Sequence, residues 1–261
     1  ATTATRLRRL DENLEIVLFE RGEHISFANC GLPYYIGDII KTEDDLLVQT
    51  PEKFKERFNI DVRIKQEVIK IDKEKKKLQI KNKATGEIYI ENYDKLVLSP
   101  GAEPINPFKG VKSDRIFTIR NVKDAEKVKT FIENNNPKSA VIVGGGYIGV
   151  EMAENLSEYT MEVSIVEKAP HLISIIDNDM AHFIHKEIKK HGVKVYVNEG
   201  VDVDESVDVW NKQIQDAFDF AGLKDDKSDP TNDSTNVRTT VRLMQPYGAA
   251  YAAGDHVGIQ R

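Results

Sequence analysis

Residues 139–167 form one continuous pattern: an apolar run from Ser139 to Val143, the turn Gly144-Gly145-Gly146-Tyr147-Ile148-Gly149, a helix-forming stretch to about Tyr159, and a second apolar run from Val163 to Glu167. Strand, glycine turn, helix and strand in that order make a β-α-β unit, whose right-handed crossover belongs in a parallel sheet. The glycines at 144, 146 and 149 let backbone N–H groups come close to an anion at the helix N-terminus, where the dipole favours negative charge. Glu167 closes the second strand about 20 residues on, with a carboxylate that accepts from a ribose 2′-hydroxyl and repels a 2′-phosphate. An ordinary strand-turn-helix shares some of these letters. Spacing and context together favour a dinucleotide site for NADH, with Lys168 beside Glu167 keeping NADPH possible.

The start of the chain repeats the second half of that unit. Ala1 to Leu10 has a helical pattern, Asp11-Glu12-Asn13 turns, and Leu14 to Glu20 reads as a strand that also ends in glutamate. Superposing the two glutamates brings Ala1 within a residue or two of the third glycine. The expected fold is therefore α/β with two Rossmann-like units, the N-terminal one incomplete. Between them the sequence predicts a helix over 51–58, strand-like stretches over 61–71 and 78–90, and a buried strand over 93–102 that runs into a Pro100-Gly101 turn. Lys73 to Lys77 reads as a solvated hairpin turn. Further on, Asp177 caps a helix to about His191, Gly192 ends it, and Val193 to Val197 is a strand. Trp210, Ile214, Ala217, Phe218 and Ala221 share one helical face, and Tyr251 to Asp255 reads as a short strand delivering an aspartate into a turn.

A net charge of −6 gives no reason to expect general nucleic-acid binding, and no apolar run is long enough to span a bilayer. No signal-peptide pattern opens the chain, and a single cysteine fits a reducing compartment, so the expected location is cytoplasmic. That cysteine, Cys30, precedes Gly31-Leu32-Pro33, where a helix can begin with proline in its first turn and its dipole favours thiolate. Two readings stand: an inert buried thiol, or a redox thiol. Without a second cysteine the redox reading requires a sulfenic acid or a mixed disulfide with a small thiol. Thr2, Arg6 and Arg9 lie at i, i+4 and i+7 and share a helix face, either as solvated surface or as a binding face for phosphates.

These segments resemble the flavin-dependent pyridine nucleotide-disulfide oxidoreductases, and within them the coenzyme A disulfide reductase branch. The resemblance rests on Ser26-Phe27-x-Asn29-Cys30, Ser99-Pro100-Gly101-Ala102, Gly144 to Gly149, and Ala253-Gly254-Asp255. It implies an FAD-binding domain over 1–107, an NAD(H)-binding domain over 108–235, and a return to the first over 236–261. It also implies homodimerisation of a full-length protein through a C-terminal domain that these residues do not include.

By resemblance, Cys30 is the catalytic nucleophile, with Ser26 and Asn29 contacting the pantetheine of coenzyme A and Thr2, Arg6 and Arg9 its nucleotide. FAD is expected to use Glu20, Arg21, Pro100, Gly101 and Asp255. NADH is expected over Gly144, Gly146, Ile148, Gly149 and Glu167, with Tyr147 covering the flavin and Glu151 near the nicotinamide; the last two equally suit helix packing. The implied activity is NAD(P)H-dependent reduction of coenzyme A disulfide. Alternatives are an NADH oxidase or peroxidase working through sulfenic acid, a coenzyme A persulfide or polysulfide reductase, and a non-catalytic nucleotide-binding module.

Overall fold

The computed structural model describes residues 1–104 and 113–201. In chain order the first elements are α1 (Thr2–Leu10), β1 (Val17–Glu20), β2 (Ser26–Phe27), α2 (Leu32–Ile36), β3 (Leu47–Gln49), α3 (Pro51–Phe58), β4 (Asp61–Ile64), β5 (Gln66–Asp72), β6 (Lys77–Asn82) and β7 (Ile88–Asn92). There follow α4 (Val122–Asn135), β8 (Ser139–Val143), α5 (Tyr147–Ser157), β9 (Glu162–Glu167), α6 (Asn178–Lys190) and β10 (Lys194–Val197). The chain divides into two units: 1–31 with 41–101, and 32–40 with the described residues from 102 onward. The expected helix and short strand after residue 201, including Asp255, lie outside the described residues.

In the first unit β1 pairs in parallel with β4, Val17 opposite Asp61 and Glu20 opposite Ile64. Helix α3 makes the crossover. Thr50 caps it by accepting from the Lys53 N–H at 3.4 Å, Pro51 sits in its first turn, and Asn59 ends it at φ 47°. Phe54 and Ile60 are buried there. Arg8 of α1 is buried too, and its guanidinium donates to the carbonyls of Glu12, Phe58 and Asn59 at 2.5, 2.8 and 2.9 Å. One side chain thus serves carbonyls at the ends of two helices, groups that have no partner within a helix.

The stretch expected as one strand over 61–71 is two. Lys65 takes φ 56°, a left-handed conformation that interrupts the ladder, so β4 joins β1 while β5 starts an antiparallel β5-β6-β7 meander. The stretch over 78–90 likewise splits into β6 and β7 around a turn in which Asn82 Oδ1 accepts from the N–H groups of Ala84 and Thr85. The turn at 73–77 is found, with Lys76 at φ 50°. The buried strand expected over 93–102 is not: none of these residues is in a strand, and Val97 and Leu98 are exposed. Apolar sequence makes a strand only with a neighbour to complete its hydrogen-bond ladder, and no described strand pairs with these residues.

The second unit is built on the parallel sheet β10-β9-β8. Val143 lies opposite Val166, and Glu167 opposite Val197. Helices α5 and α6 are its crossovers, and Ile142, Met152, Leu156, Ile165 and Leu172 are fully buried in its core. Helix α4, capped by Asn121 Oδ1 on the Asp124 N–H at 3.0 Å, buries Val122, Ala125, Val128 and Ile132. The short α2 packs on α4 and α5. Buried Lys129 of α4 holds it, reaching Asp38 at 3.0 Å and lying 4.4 Å from the centre of the Tyr35 ring, while the Tyr159 hydroxyl donates to the Ile36 carbonyl at 2.6 Å. Asn155 of α5 fills the space that a side chain at Gly37 would occupy.

Candidate nucleotide and thiol sites

The glycine turn between β8 and α5 is shaped by close approach. Gly144 sits at φ 105°, and a Cβ on Gly149 would strike the Gly144 carbonyl oxygen. Only glycine at 149 lets the first turn of α5 pack so near the strand end. Gly146 occupies the N-cap of α5 and supplies no side-chain cap, so backbone alone faces the helix N-terminus, where the dipole favours an anion. These features fit a dinucleotide pyrophosphate. Ile148 lies in that first turn, Tyr147 is exposed at its start, and Glu151 follows one turn on. The Glu151 carboxyl is raised above the ordinary carboxylate range, chiefly by burial and then by the neighbouring charge of Glu154.

Glu167 ends β9 beside this turn. Its Oε2 accepts from the Gly145 N–H at 2.5 Å and its Oε1 from the Ala169 N–H at 2.6 Å. A carboxylate offers about four lone-pair sites, so two remain for ribose hydroxyls after these bonds fix its direction. The loop after Glu167 supports the turn from below. Buried Leu172 fills the space where a Gly145 side chain would stand, and the Ile173 N–H donates to the Gly145 carbonyl at 2.7 Å. The Leu172 N–H donates to His185 Nε2 at 2.9 Å. Sequence reasoning missed this support, because neither Leu172 nor His185 stands in a motif.

In the first unit, Glu20 repeats one of the Glu167 contacts: its Oε1 accepts from the Gly22 N–H at 2.6 Å. Arg21, Pro100 and Gly101 are exposed, and Gly101 takes φ 71°. Glu20 at a parallel strand end fits a ribose-binding carboxylate. Asp255 lies outside the described residues.

Cys30 is exposed, which removes the inert buried reading. It is the middle residue of a single 3-10 turn, Asn29–Gly31, that leads in the chain directly to α2. The segment before it is pinned to β3: Ser26 lies opposite Gln49, Phe27 opposite Leu47, and the Ala28 N–H donates to the Leu46 carbonyl at 2.8 Å. His24 pairs with Glu43 at 2.7 Å. Ser26 and Asn29 thus precede the thiol on a braced segment, with Asn29 next to it in the chain and exposed. Helix α2 has only five residues, so its dipole offers a thiolate little. On α1, Thr2, Arg6 and Arg9 are all exposed, as one solvent-facing side of a helix requires. The intervening Arg8 is the structural arginine. Spacing showed which arginines share a face but not which face the fold buries.

Residues 1–219 match the pyridine nucleotide-disulphide oxidoreductase family. The chain belongs to that family. The coenzyme A disulfide reductase of Staphylococcus haemolyticus is 38% identical over 221 residues, 84% of this chain and 50% of that protein. Among solved structures, reduced Bacillus anthracis CoADR-RHD superposes with a TM-score of 0.74 at 49% identity, covering 77% of this chain and 37% of that one. The NAD-dependent persulfide reductase of A. fulgidus gives a TM-score of 0.70 at 32% identity over 75% of this chain and 37% of its own. This oxidoreductase-family chain therefore spans about half the length of the curated relatives it matches. Among the described residues no helix is long and apolar enough to cross a membrane, and no cluster of three or more His, Cys, Asp or Glu could hold a metal ion.

Proposed function

We propose that the protein, at full length, uses NADH to reduce coenzyme A disulfide through Cys30. The observation that carries this reading is an exposed single cysteine on a braced turn in a chain 38% identical to a coenzyme A disulfide reductase. Residues 1–107 and 236–261 would hold FAD and residues 108–235 NADH, in a cytoplasmic homodimer. When bound, FAD supplies the two-electron relay between NADH and a disulfide.

The chain's own residues do the rest. The Gly144–Gly149 turn presents N–H groups to the NADH pyrophosphate, and Glu167 orients the adenosine ribose and disfavours a 2′-phosphate. From the first turns of α5, Tyr147 would cover the flavin and Glu151 would lie near the nicotinamide. Glu20, Arg21, Pro100 and Gly101 of the first unit, together with Asp255, would hold the flavin nucleotide. The Cys30 thiolate attacks one sulfur of coenzyme A disulfide, forming a mixed disulfide and releasing one coenzyme A thiolate. Two electrons then cleave the mixed disulfide, the second coenzyme A leaves, and Cys30 is again a thiolate. Ser26 and Asn29 position the pantetheine arm, while Thr2, Arg6 and Arg9 receive the phosphates of the nucleotide.

In the full-length flavoprotein, Cys30→Ser abolishes reduction of coenzyme A disulfide and leaves flavin reduction by NADH intact; mass spectrometry of the wild type shows coenzyme A on Cys30. Retained turnover in the variant overturns the assignment. The likeness to a persulfide reductase supports a second reading, reduction of coenzyme A persulfide, and comparing the two substrates at equal concentration decides between them.

A further inference from the structure

Beneath the glycine turn lies a support that the nucleotide motif does not contain. Ile173 takes φ 48°, a left-handed conformation that is costly for a β-branched side chain. The surroundings hold it there: its own N–H donates to the Gly145 carbonyl at 2.7 Å, and the N–H of the preceding Leu172 donates to His185 Nε2 at 2.9 Å. Leu172 is in turn the side chain on which Gly145 rests. His185 comes from the middle of α6, the helix that directly follows this loop, so the bond ties the loop after β9 to the body of its own crossover helix.

We propose that His185 is a positioning residue for the nucleotide site, holding the Leu172–Ile173 loop under the glycine turn in its neutral form and releasing it when protonated. This rests on the reading that Gly144–Gly149 holds NADH. Neutral imidazole has one nitrogen that accepts; imidazolium has two N–H groups and none, so protonation leaves the Leu172 N–H facing another donor. Among the described residues, the charged and titratable groups around His185 are His171 from the loop, whose Nδ1 lies 3.0 Å from the Leu172 carbonyl, and His182, Lys189 and Asp179 from α6; β10 contributes the apolar Val197 to the same hollow. Burial lowers the affinity of His185 for a proton, and Lys189, His171 and His182 lower it further. A histidine with a lowered folded-state pKa contributes stability that is complete above the ordinary value of about 6.5. That contribution is lost as pH falls from there through the lowered value.

Hydrogen exchange on full-length, flavin-loaded protein without NADH, corrected for intrinsic rates, tests this between pH 8 and 5. Protection of the 169–176 amides in the wild type should fall about fivefold or more at the acid end, the effect of losing one hydrogen bond. His185→Gln, which keeps an acceptor but does not titrate, should retain protection across the range; His185→Leu should lack it at every pH. A flat wild-type profile, or a His185→Gln profile that falls like the wild type's, overturns the proposal. Added NADH should protect the 144–149 amides. Failure of that protection alone overturns the nucleotide reading, and the NADH-free profile still decides the role of His185.

Discussion

The two parallel strand pairs, β1–β4 and β9–β10, are the same device used for different ends. Glu20 corresponds to Glu167, and each accepts from an N–H two residues on, that of Gly22 or Ala169. Glu20 lies opposite Ile64 as Glu167 lies opposite Val197. The residues that follow, Lys65 and Asn198, take φ 56° and 57°, and donate to the carbonyls of Gly22 and Ala169 at 2.9 and 3.0 Å. Even the helix ends agree, with Asn59 at φ 47° and Gly192 at φ 77°. The units differ in what is hung on this frame. The second spends its crossover on one long helix, α6; the first has a longer crossover and uses the extra chain for the β2–β3 loop that carries Cys30. A shared geometry at the strand ends leaves the connection free to vary, and loops held by a rigid scaffold are where functional residues are commonly found.

The largest test of this correspondence is at the head of the helix. Gly149→Val drives a side chain into the Gly144 carbonyl and should cost about 4 kcal/mol of stability. Thr2, its counterpart on α1, is exposed, and Thr2→Val should change stability by less than about 0.5 kcal/mol. Denaturant unfolding of the two variants reads the difference; equal effects would break the comparison.

Next is the buried polar position shared by α1 and α5, Arg8 in one and Asn155 in the other. Arg8→Ala removes three bonds to helix-end carbonyls and should cost about 3 kcal/mol. Asn155 makes one bond, from Nδ2 to the Glu151 carbonyl at 2.7 Å, and its Oδ1 is buried with no hydrogen-bond partner. Asn155→Ala should therefore cost about 1 kcal/mol or less. Thermal unfolding that ranks them the other way would show that α1 is not anchored as described.

The smallest effect concerns the two left-handed helix ends. Gly192→Ala should lose about 1 kcal/mol, whereas Asn59→Gly should gain a few tenths. A loss in both would mean that the Asn59 side chain contributes more than its backbone conformation.

How much of this could be read from the sequence follows from how local each signal is. Strand β8, the glycine turn and the limits of α3 were legible because propensity, capping and spacing act within a few residues: Thr50, Pro51 and Asn59 mark α3 at both ends. The fate of 93–102 was not, because it depends on a pairing partner elsewhere in the chain. Lys65 also hid its effect, since a lysine gives no warning of a positive φ. Helix α4 also carries a local signal, Asn121 followed by Val122, Ala125, Val128 and Ile132. At the site, Cys30 and Glu167 stood in recognisable patterns, while Arg8, Leu172 and His185 are known only from what they touch.

If Glu167 selects NADH as proposed, its two backbone bonds also bear on any attempt to change that preference. On the proposed reading, replacing that glutamate with a small neutral residue would remove the charge assigned to oppose a 2′-phosphate, yet it would also unfasten the Gly145 N–H from the strand end. A redesign for NADPH would then confuse selectivity with loss of the turn itself. The substitution to choose is one that gives up the charge but keeps an oxygen where Oε2 now stands, with the cationic partner for the phosphate supplied from Lys168 or another neighbour.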